Sequence, residues 1–393
     1  MDNSYAVVGS GKQGVASAYD IARFGKADKV ILADLDLTAA TKAAKRVNRL
    51  IGDDIAEGVK ADVSNRSRLA SVLKGIDAVV SAVPYRFNLD ITKAAIRVRA
   101  SMSDMGGHTG IVRKQLALDA QAKKAGITIV PDCGMGPGLN ISLAVHAMSL
   151  LDRPKEVLIW DGGLPQDPEP PWNYVCTFSL GGLTNEYDGH AYFIRNGKVT
   201  EVPCFDGYET LEFPEPIGKL EAFVTSGGLS TAPWTFEGKL QRLENKTLRY
   251  PGHVAQFKAF AQLGLLEQRP IKAGKTVIAP RDVFHALLAP RITRPEIKDV
   301  CVMRVRCVGE KNGRPATATI ELIDRYDEKT GFTAMQRLTG WHASIVAMLA
   351  AKGKLPRGAI SVEKIPGKLI INEFRKRGIK ITTRIEKTTT TKT

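Results

Sequence analysis

Three glycines and two carboxylates are the residues whose type and spacing most clearly carry chemistry. Gly9, Gly11 and Gly14 stand in GSGKQG straight after the apolar run YAVV, and Asp34 follows Gly14 by 20 residues. Asp132 opens the glycine-rich stretch DCGMGPG. In the first group Gly9 permits a tight turn, Gly11 lets a pyrophosphate approach bare backbone, and Gly14 allows close packing of helix on strand. Ser10, Lys12 and Gln13 complete the turn, which ends on free N–H groups at a positive helix terminus. Asp34 sits where a carboxylate accepts the two ribose hydroxyls and repels a 2′-phosphate. Leu35 and Asp36 bring no cation to offset that repulsion, so the sequence predicts NAD rather than NADP. Asp62, in KADVSN, is a second cofactor candidate near the adenine; the same residue type equally suits a helix cap.

These residues need a scaffold. YAVVG, KVILAD, EGVKADV, DAVVSAV, ASMSD and ITIVPD read as six apolar strands. Amphipathic stretches at 13–24, 38–50, 67–73, 89–98 and 112–124 read as the intervening helices. Such βα alternation with nearly all-apolar strands predicts a parallel sheet covered on both faces, a doubly wound Rossmann domain. Ligands of such sheets lie outside the carboxyl ends of the strands. Small Ser81 and Ala82 leave room there, and Ala82, Val83 and Pro84 are predicted to line the cofactor crevice. Tyr85 and Arg86 suit either the crevice or the surface. Asp132 ends the sixth strand, so it reaches the same edge beside the helix that starts at Leu139.

Beyond this point the pattern becomes α+β. KEVLIWDGG reads as a strand, and AYFIRNGKVTEV as a hairpin turning at Asn196-Gly197. A longer hairpin turns at Asn312-Gly313, and helices are predicted at 254–263, 281–289 and 341–352. The fold class is α/β, an N-terminal Rossmann domain plus a second α+β domain for substrate and dimerisation. The expected division is residues 1–135, completed by the helix at 340–352, then 136–335, then a C-terminal segment 353–393. Long two-stranded ribbons favour a homodimer.

Composition narrows the class further. A length of 393 residues calls for two cores, and 44% hydrophobic with 25% charged residues is a globular balance. No apolar run spans a bilayer and no basic segment precedes the first strand, so a cytoplasmic protein without membrane attachment is expected. Five scattered cysteines without a CxxC fit a reducing compartment; Cys133 reads as a small buried thiol rather than a reactive one. The net charge of +15 is uneven: residues 375–393 carry seven Lys/Arg and one Glu. Aromatic residues do not interleave with the basic ones, so no nucleic-acid partner is predicted. The excess reads as a solvated tail, frayed over KTTTTKT, with general attraction for anionic cofactors.

Five further stretches occur in order: SDMGGH (103–108), PDCGMGPG (131–138), DGGLPQDPEPPWNY (161–174), TSGG (225–228) and TLRYPGH (247–253). Together with the late RGAISVEKIPGKLIINEFRKRGIKI they resemble the saccharopine dehydrogenase family. The likeness is greatest to members that oxidise lysine at its ε-carbon. It implies NAD-dependent oxidative deamination of the lysine ε-amine to a semialdehyde that cyclises with the α-amine, in a homodimer. It also implies that Gly107 and His108 lie by the nicotinamide.

That reaction sets requirements. An ε-ammonium, with a reference pKa of about 10.4, must lose its proton before hydride can leave carbon. The α-carboxylate needs a cation and the α-ammonium a carboxylate; hydride transfer needs no metal. Asp132 is the first candidate for base or amine holder, its other reading being a cap of the glycine loop. His253 and then His108 are the alternative bases, although a lone histidine is more often a satisfied helix cap. Arg249 is the candidate partner of the carboxylate, or else a member of a surface salt bridge. Thr225 and Ser226 offer a carboxylate nest or a plain turn. Tyr174, with Glu169 and Trp172, lies on a Pro-rich loop that either covers the substrate or is ordinary surface. Two rival readings remain open: saccharopine-type chemistry on a secondary amine, whose extra carboxylates call for more arginines, and a non-catalytic NAD sensor.

Overall fold

A computed structural model of the chain describes residues 3–387. The expected fraying of KTTTTKT falls almost wholly outside these residues. β1 (Ser4–Val8), β2 (Lys29–Asp34), β3 (Ala56–Lys60), β4 (Ala78–Ser81), β5 (Ser101–Asp104) and β6 (Thr128–Val130) form a parallel sheet. Its order is β6-β5-β4-β1-β2-β3, with Gly358–Ala359 added as a seventh strand beside β6. Tyr5, Val7, Val30, Leu32, Val80 and Ile129 are buried, as strands covered on both faces require. The strand order reverses between β1 and β4, and the crevice at that switch point is where such sheets take their ligands.

The long helix Ala334–Ala351 returns from the second domain to this sheet. It opens seven residues before the expected Trp341, on a reciprocal Thr333–Gln336 capping box. Gly340 gives it the close approach it needs, because a Cβ there would lie 2.9 Å from the Gln13 carbonyl of α1 (Lys12–Phe24). The Ser17 and Ser103 hydroxyls donate to the carbonyls of Gly340 and Ala343, both at 2.8 Å.

The second domain is built on a nine-stranded sheet. Its main path runs Glu209–Glu212, Lys219–Phe223, Arg242–Arg249, Arg153–Pro165, Asp299–Lys311, Arg314–Arg325 and Ile381–Lys387. The hairpin His190–Arg195/Lys198–Pro203 hangs from the strand Arg242–Arg249. Both expected Asn-Gly tips are present, with φ of +51° and +78° at 196–197 and +52° and +70° at 312–313. The apolar helix Leu139–Ser149 lies buried against this sheet.

Two expectations need correction. The single helix at 112–124 is two, Thr109–Leu116 and Asp119–Ala125. The break lets Asp119 accept the Ala359 amide of the seventh strand at 3.0 Å. The solvated tail expected from residue 375 onward is ordered as far as Lys387: the C-terminal segment supplies a strand to each sheet and the helix Gly367–Lys376. The buried Arg377 guanidinium meets Asp20 of α1 at 2.6 Å.

Candidate functional site

The glycine turn has the geometry its sequence requires. Gly9 adopts φ of +99°, and a Cβ there would strike the Ala82 carbonyl oxygen at 2.6 Å. A Cβ on Gly14 would lie 1.8 Å from the Gly9 carbonyl, whereas one on Gly11 would meet open space. That bare, open position at the start of α1 fits a pyrophosphate. Lys12 and Gln13 form the first residues of α1. Asp34 Oδ2 accepts the Ser10 amide and the Ser10 hydroxyl, both at 2.7 Å, and Oδ1 accepts the Asp36 amide at 3.1 Å. Burial pushes this carboxyl up, but those donors prevail and hold it below its ordinary value. It is therefore an anion at the end of β2, fixed onto the turn itself. Across the crevice, the Ala82 amide donates to the Val8 carbonyl at 2.7 Å, and Val83 and Pro84 lead into the short turn Tyr85–Phe87. Arg86 points out along Phe87. Asp62 is drawn into a local turn, accepting the Ser64 amide and hydroxyl at 2.9 and 2.6 Å. The expected cap role falls instead to Asn65, which accepts the Arg68 amide.

A second group forms where β5 and β6 end. Asp104 is fully buried and accepts Gln115 Nε2 at 2.7 Å, the Gly106 amide at 2.8 Å and the Asp132 amide at 3.2 Å. Gly107 lies against the Tyr85 ring, which stacks on His108 at 5.2 Å. The His108 Nδ1 accepts the Ile111 amide at 3.3 Å, so this ring caps a helix. Asp132 holds a left-handed φ of +57°. Its Oδ2 accepts the Ser230 hydroxyl, and its Oδ1 is buried with no partner. Burial, then the neighbouring Asp104 charge, push the Asp132 carboxyl up to about 7. Cys133 beside it is fully buried, and burial raises its thiol well above the ordinary value.

Arg249 gathers a third group in the second domain. Its Nε donates to the Tyr187 hydroxyl at 3.1 Å, and its guanidinium lies 5.0 Å over the Tyr174 ring and 3.8 Å from Glu186 Oε2. The Tyr187 oxygen accepts that hydrogen bond and shares a second, of 2.7 Å, with His253 Nε2. His253 is thus tied into an aromatic cluster, stacked on Phe257 at 4.0 Å and 1% exposed. Burial, then the Arg249 charge, hold its pKa well below the ordinary value. His253, the alternative base expected from the sequence, lies beside Tyr187 and Arg249. Burial pushes Asp161 up to about 6 and Glu186 up to about 7, against the pull of Arg249 on both. Asp161 Oδ2, the Tyr174 hydroxyl and the Thr177 hydroxyl are buried without partners. Unpaired buried polar atoms are costly, and this set suits a polar ligand. The loop of Cys133–Gly138 joins the second and third groups, since a Cβ on Gly136 would lie 2.9 Å from Asp161 Oδ2.

The remaining candidates are occupied locally. Thr225 shares a 2.7 Å hydrogen bond with Thr247, and the Ser226 hydroxyl donates to the Asn185 carbonyl. Tyr174 is buried, while Glu169 pairs with Arg294 at the surface. Asp104, Asp161, Glu186, Tyr187, Ser230 and Glu363 escaped the sequence reading. Asp104, Asp161 and Glu363 lie inside quoted motif stretches; Glu186, Tyr187 and Ser230 carry no local signal.

A parallel sheet with an open glycine turn, joined to a second domain rich in buried carboxylates, defines a two-domain pyridine-nucleotide-binding protein. Residues 5–130 match the saccharopine dehydrogenase NADP binding domain, and residues 134–379 the saccharopine dehydrogenase C-terminal domain. The chain belongs to the saccharopine dehydrogenase family. It is 26% identical over 272 residues to saccharopine dehydrogenase [NADP(+), L-glutamate-forming] of Saccharomyces cerevisiae, covering 67% of this chain and 60% of the relative. It is 27% identical over 221 residues to the mitochondrial alpha-aminoadipic semialdehyde synthase of Mus musculus, covering 53% of this chain and 23% of the relative. The match thus spans about three fifths of the yeast enzyme's length and under a quarter of the mouse protein's. The apo saccharopine dehydrogenase (L-Glu forming) structure from Saccharomyces cerevisiae shares the fold, with a TM-score of 0.78 at 20% identity, covering 98% of this chain and 100% of that one. Among the described residues, no helix is long and apolar enough to cross a membrane.

Proposed function

We propose that this protein is an NAD-dependent oxidoreductase that deaminates L-lysine at its ε-carbon, the L-lysine 6-dehydrogenase reaction. The observation that carries this reading is charge balance: Asp161 and Glu186 are buried or half-buried carboxylates near one guanidinium, Arg249, and the loop that follows buried Asp132 adjoins Asp161 at Gly136. Lysine brings two ammonium groups and one carboxylate, which complements such a site. Saccharopine brings three carboxylates and would need more cations than this site holds. Arg249, fixed by Tyr187 and Tyr174, takes the α-carboxylate; Asp161 and Glu186 take the α-ammonium. Asp132 accepts the proton that the ε-ammonium must lose, its raised affinity for protons being matched to that task near neutrality. The bound nicotinamide supplies the hydride acceptor; water then releases ammonia from the resulting imine, and the semialdehyde cyclises.

The names of the relatives favour a second reading, NADP-linked oxidation of saccharopine. Asp34 speaks against it, because a fixed anion at the end of β2 repels a 2′-phosphate. Rates of reduced-nucleotide formation with lysine and saccharopine, each with NAD and NADP, separate the two. Turnover of lysine with NAD supports the proposal. Preference for saccharopine with NADP replaces it, and nucleotide binding without any turnover identifies a sensor. We also propose a homodimer, to be checked by light scattering.

A further inference from the structure

Two residues facing one another are held in the left-handed region that glycine favours, and neither is glycine. Asp132 has φ of +57° and Ser230 has φ of +47°, and the Ser230 hydroxyl donates to Asp132 Oδ2. Such strain persists only where its surroundings over-determine it. The surroundings here come from the C-terminal part of the chain. Glu363 is buried, and its Oε1 accepts the Thr231 hydroxyl at 2.8 Å and the Thr235 hydroxyl at 2.6 Å. Thr231, directly after Ser230, is the N-cap residue of the short helix Ala232–Phe236, and Thr235 lies within that helix. On its other side the turn is held by Asn140 Nδ2, which donates to the Gly228 carbonyl at 2.9 Å. Glu363 Oε2 has no partner, so the carboxylate makes no other hydrogen bond.

We propose that Ser230 and Glu363 are positioning residues for Asp132: Glu363 anchors the turn through Thr231 and Thr235, and the anchored turn delivers the Ser230 hydroxyl to Asp132. The catalytic meaning of this device rests on the reading of Asp132 as the group that receives the substrate proton. The two residues act in opposite senses on that proton. The Ser230 donor favours the ionised carboxylate, whereas the Glu363 charge, like that of Asp104 from β5, opposes it. Cys133, next in the loop, is the other titratable neighbour, and the same two aspartates help to keep its thiol protonated.

The test reads Asp132 without needing turnover. Unfolding stability is measured against pH for the full chain and its Asp132→Asn variant, and the difference reports where Asp132 ionises. The same pair is then compared in Glu363→Gln, which keeps an acceptor for both threonines, and in Ser230→Gly, which accepts the backbone angle and removes the hydroxyl. The ionisation should move to lower pH in Glu363→Gln and to higher pH in Ser230→Gly, by about half a unit or more each. Lysine oxidation should shift its acid limb in the same senses, with KM for NAD within twofold of the parent. Its kcat should fall at least about tenfold in Ser230→Gly. Displacements in one common sense, or none, overturn the inference. Opposite displacements without lysine turnover would sustain the positioning device and remove the lysine reading alone.

Discussion

Burial and the Asp104 charge make Asp132 costly to ionise. Its folded-state pKa of about 7 stands above the ordinary carboxylate value of about 3.9. The stability tied to its proton is fully present below about pH 4 and is lost as pH rises through 7. Asp132→Asn should therefore be more stable than the parent at pH 8 and equal to it at pH 4, with each unit of displaced pKa worth about 1.4 kcal/mol. The same variant should lose about 10²- to 10⁴-fold in turnover while KM for NAD stays within a few-fold. Guanidinium titrations at both pH values, together with steady-state kinetics, check this trade. Asp34→Ala should raise KM for NAD about tenfold or more and reduce the discrimination against NADP, because it removes an anion that also organises Ser10. An unchanged NAD/NADP ratio would take Asp34 off the ribose. Asp34 was legible because a glycine turn and its acid are local in sequence. Asp104, Ser230 and Glu363 were not, since their partners lie 28, 98 and 132 residues away.

Elements whose turns are written in short dipeptides were readable in the same way. Both Asn-Gly hairpins and the βα alternation follow from local backbone chemistry. The break at Ala117–Leu118 was hidden, because helical periodicity runs through it and its cause is a strand 240 residues later. The C-terminal helix and its flanking strands are likewise defined by what they pack against. Their anchor is the Arg377–Asp20 pair, in which Arg377 Nε and Nη2 reach the two carboxylate oxygens at 2.6 and 3.1 Å, with Ser344 as a third partner. Removing one member leaves a buried charge alone, so Arg377→Ala should cost about 3–5 kcal/mol. Urea unfolding measures it; a loss under 1 kcal/mol would mean that the segment is held by its apolar face alone.

Across the whole molecule, the dinucleotide turn and the Arg249 cluster belong to different domains, and the long helix Ala334–Ala351 ties them together. Gln336 in its first turn closes the capping box and donates to the Lys12 carbonyl at 2.8 Å. The carboxylates near Arg249 give the assembly a pH dependence. Asp161 and Glu186 lose their charge as pH falls through about 6 and 7, so their attraction for an ammonium weakens in that range. KM for lysine should therefore rise as pH drops from 8 to 6, while kcat/KM continues to climb on the alkaline side as the free ε-amine accumulates. A KM flat across that interval would separate these carboxylates from the substrate.

The defining event of the proposed reaction is hydride leaving the ε-carbon of lysine. Mass spectrometry of the nucleotide after incubation with NAD and lysine bearing two deuteriums at that carbon observes it directly. Oxidation at that carbon yields NADH carrying one deuterium, with a cyclic imine as co-product. Unlabelled nucleotide from lysine, alongside ready reduction of NADP by saccharopine, would contradict it.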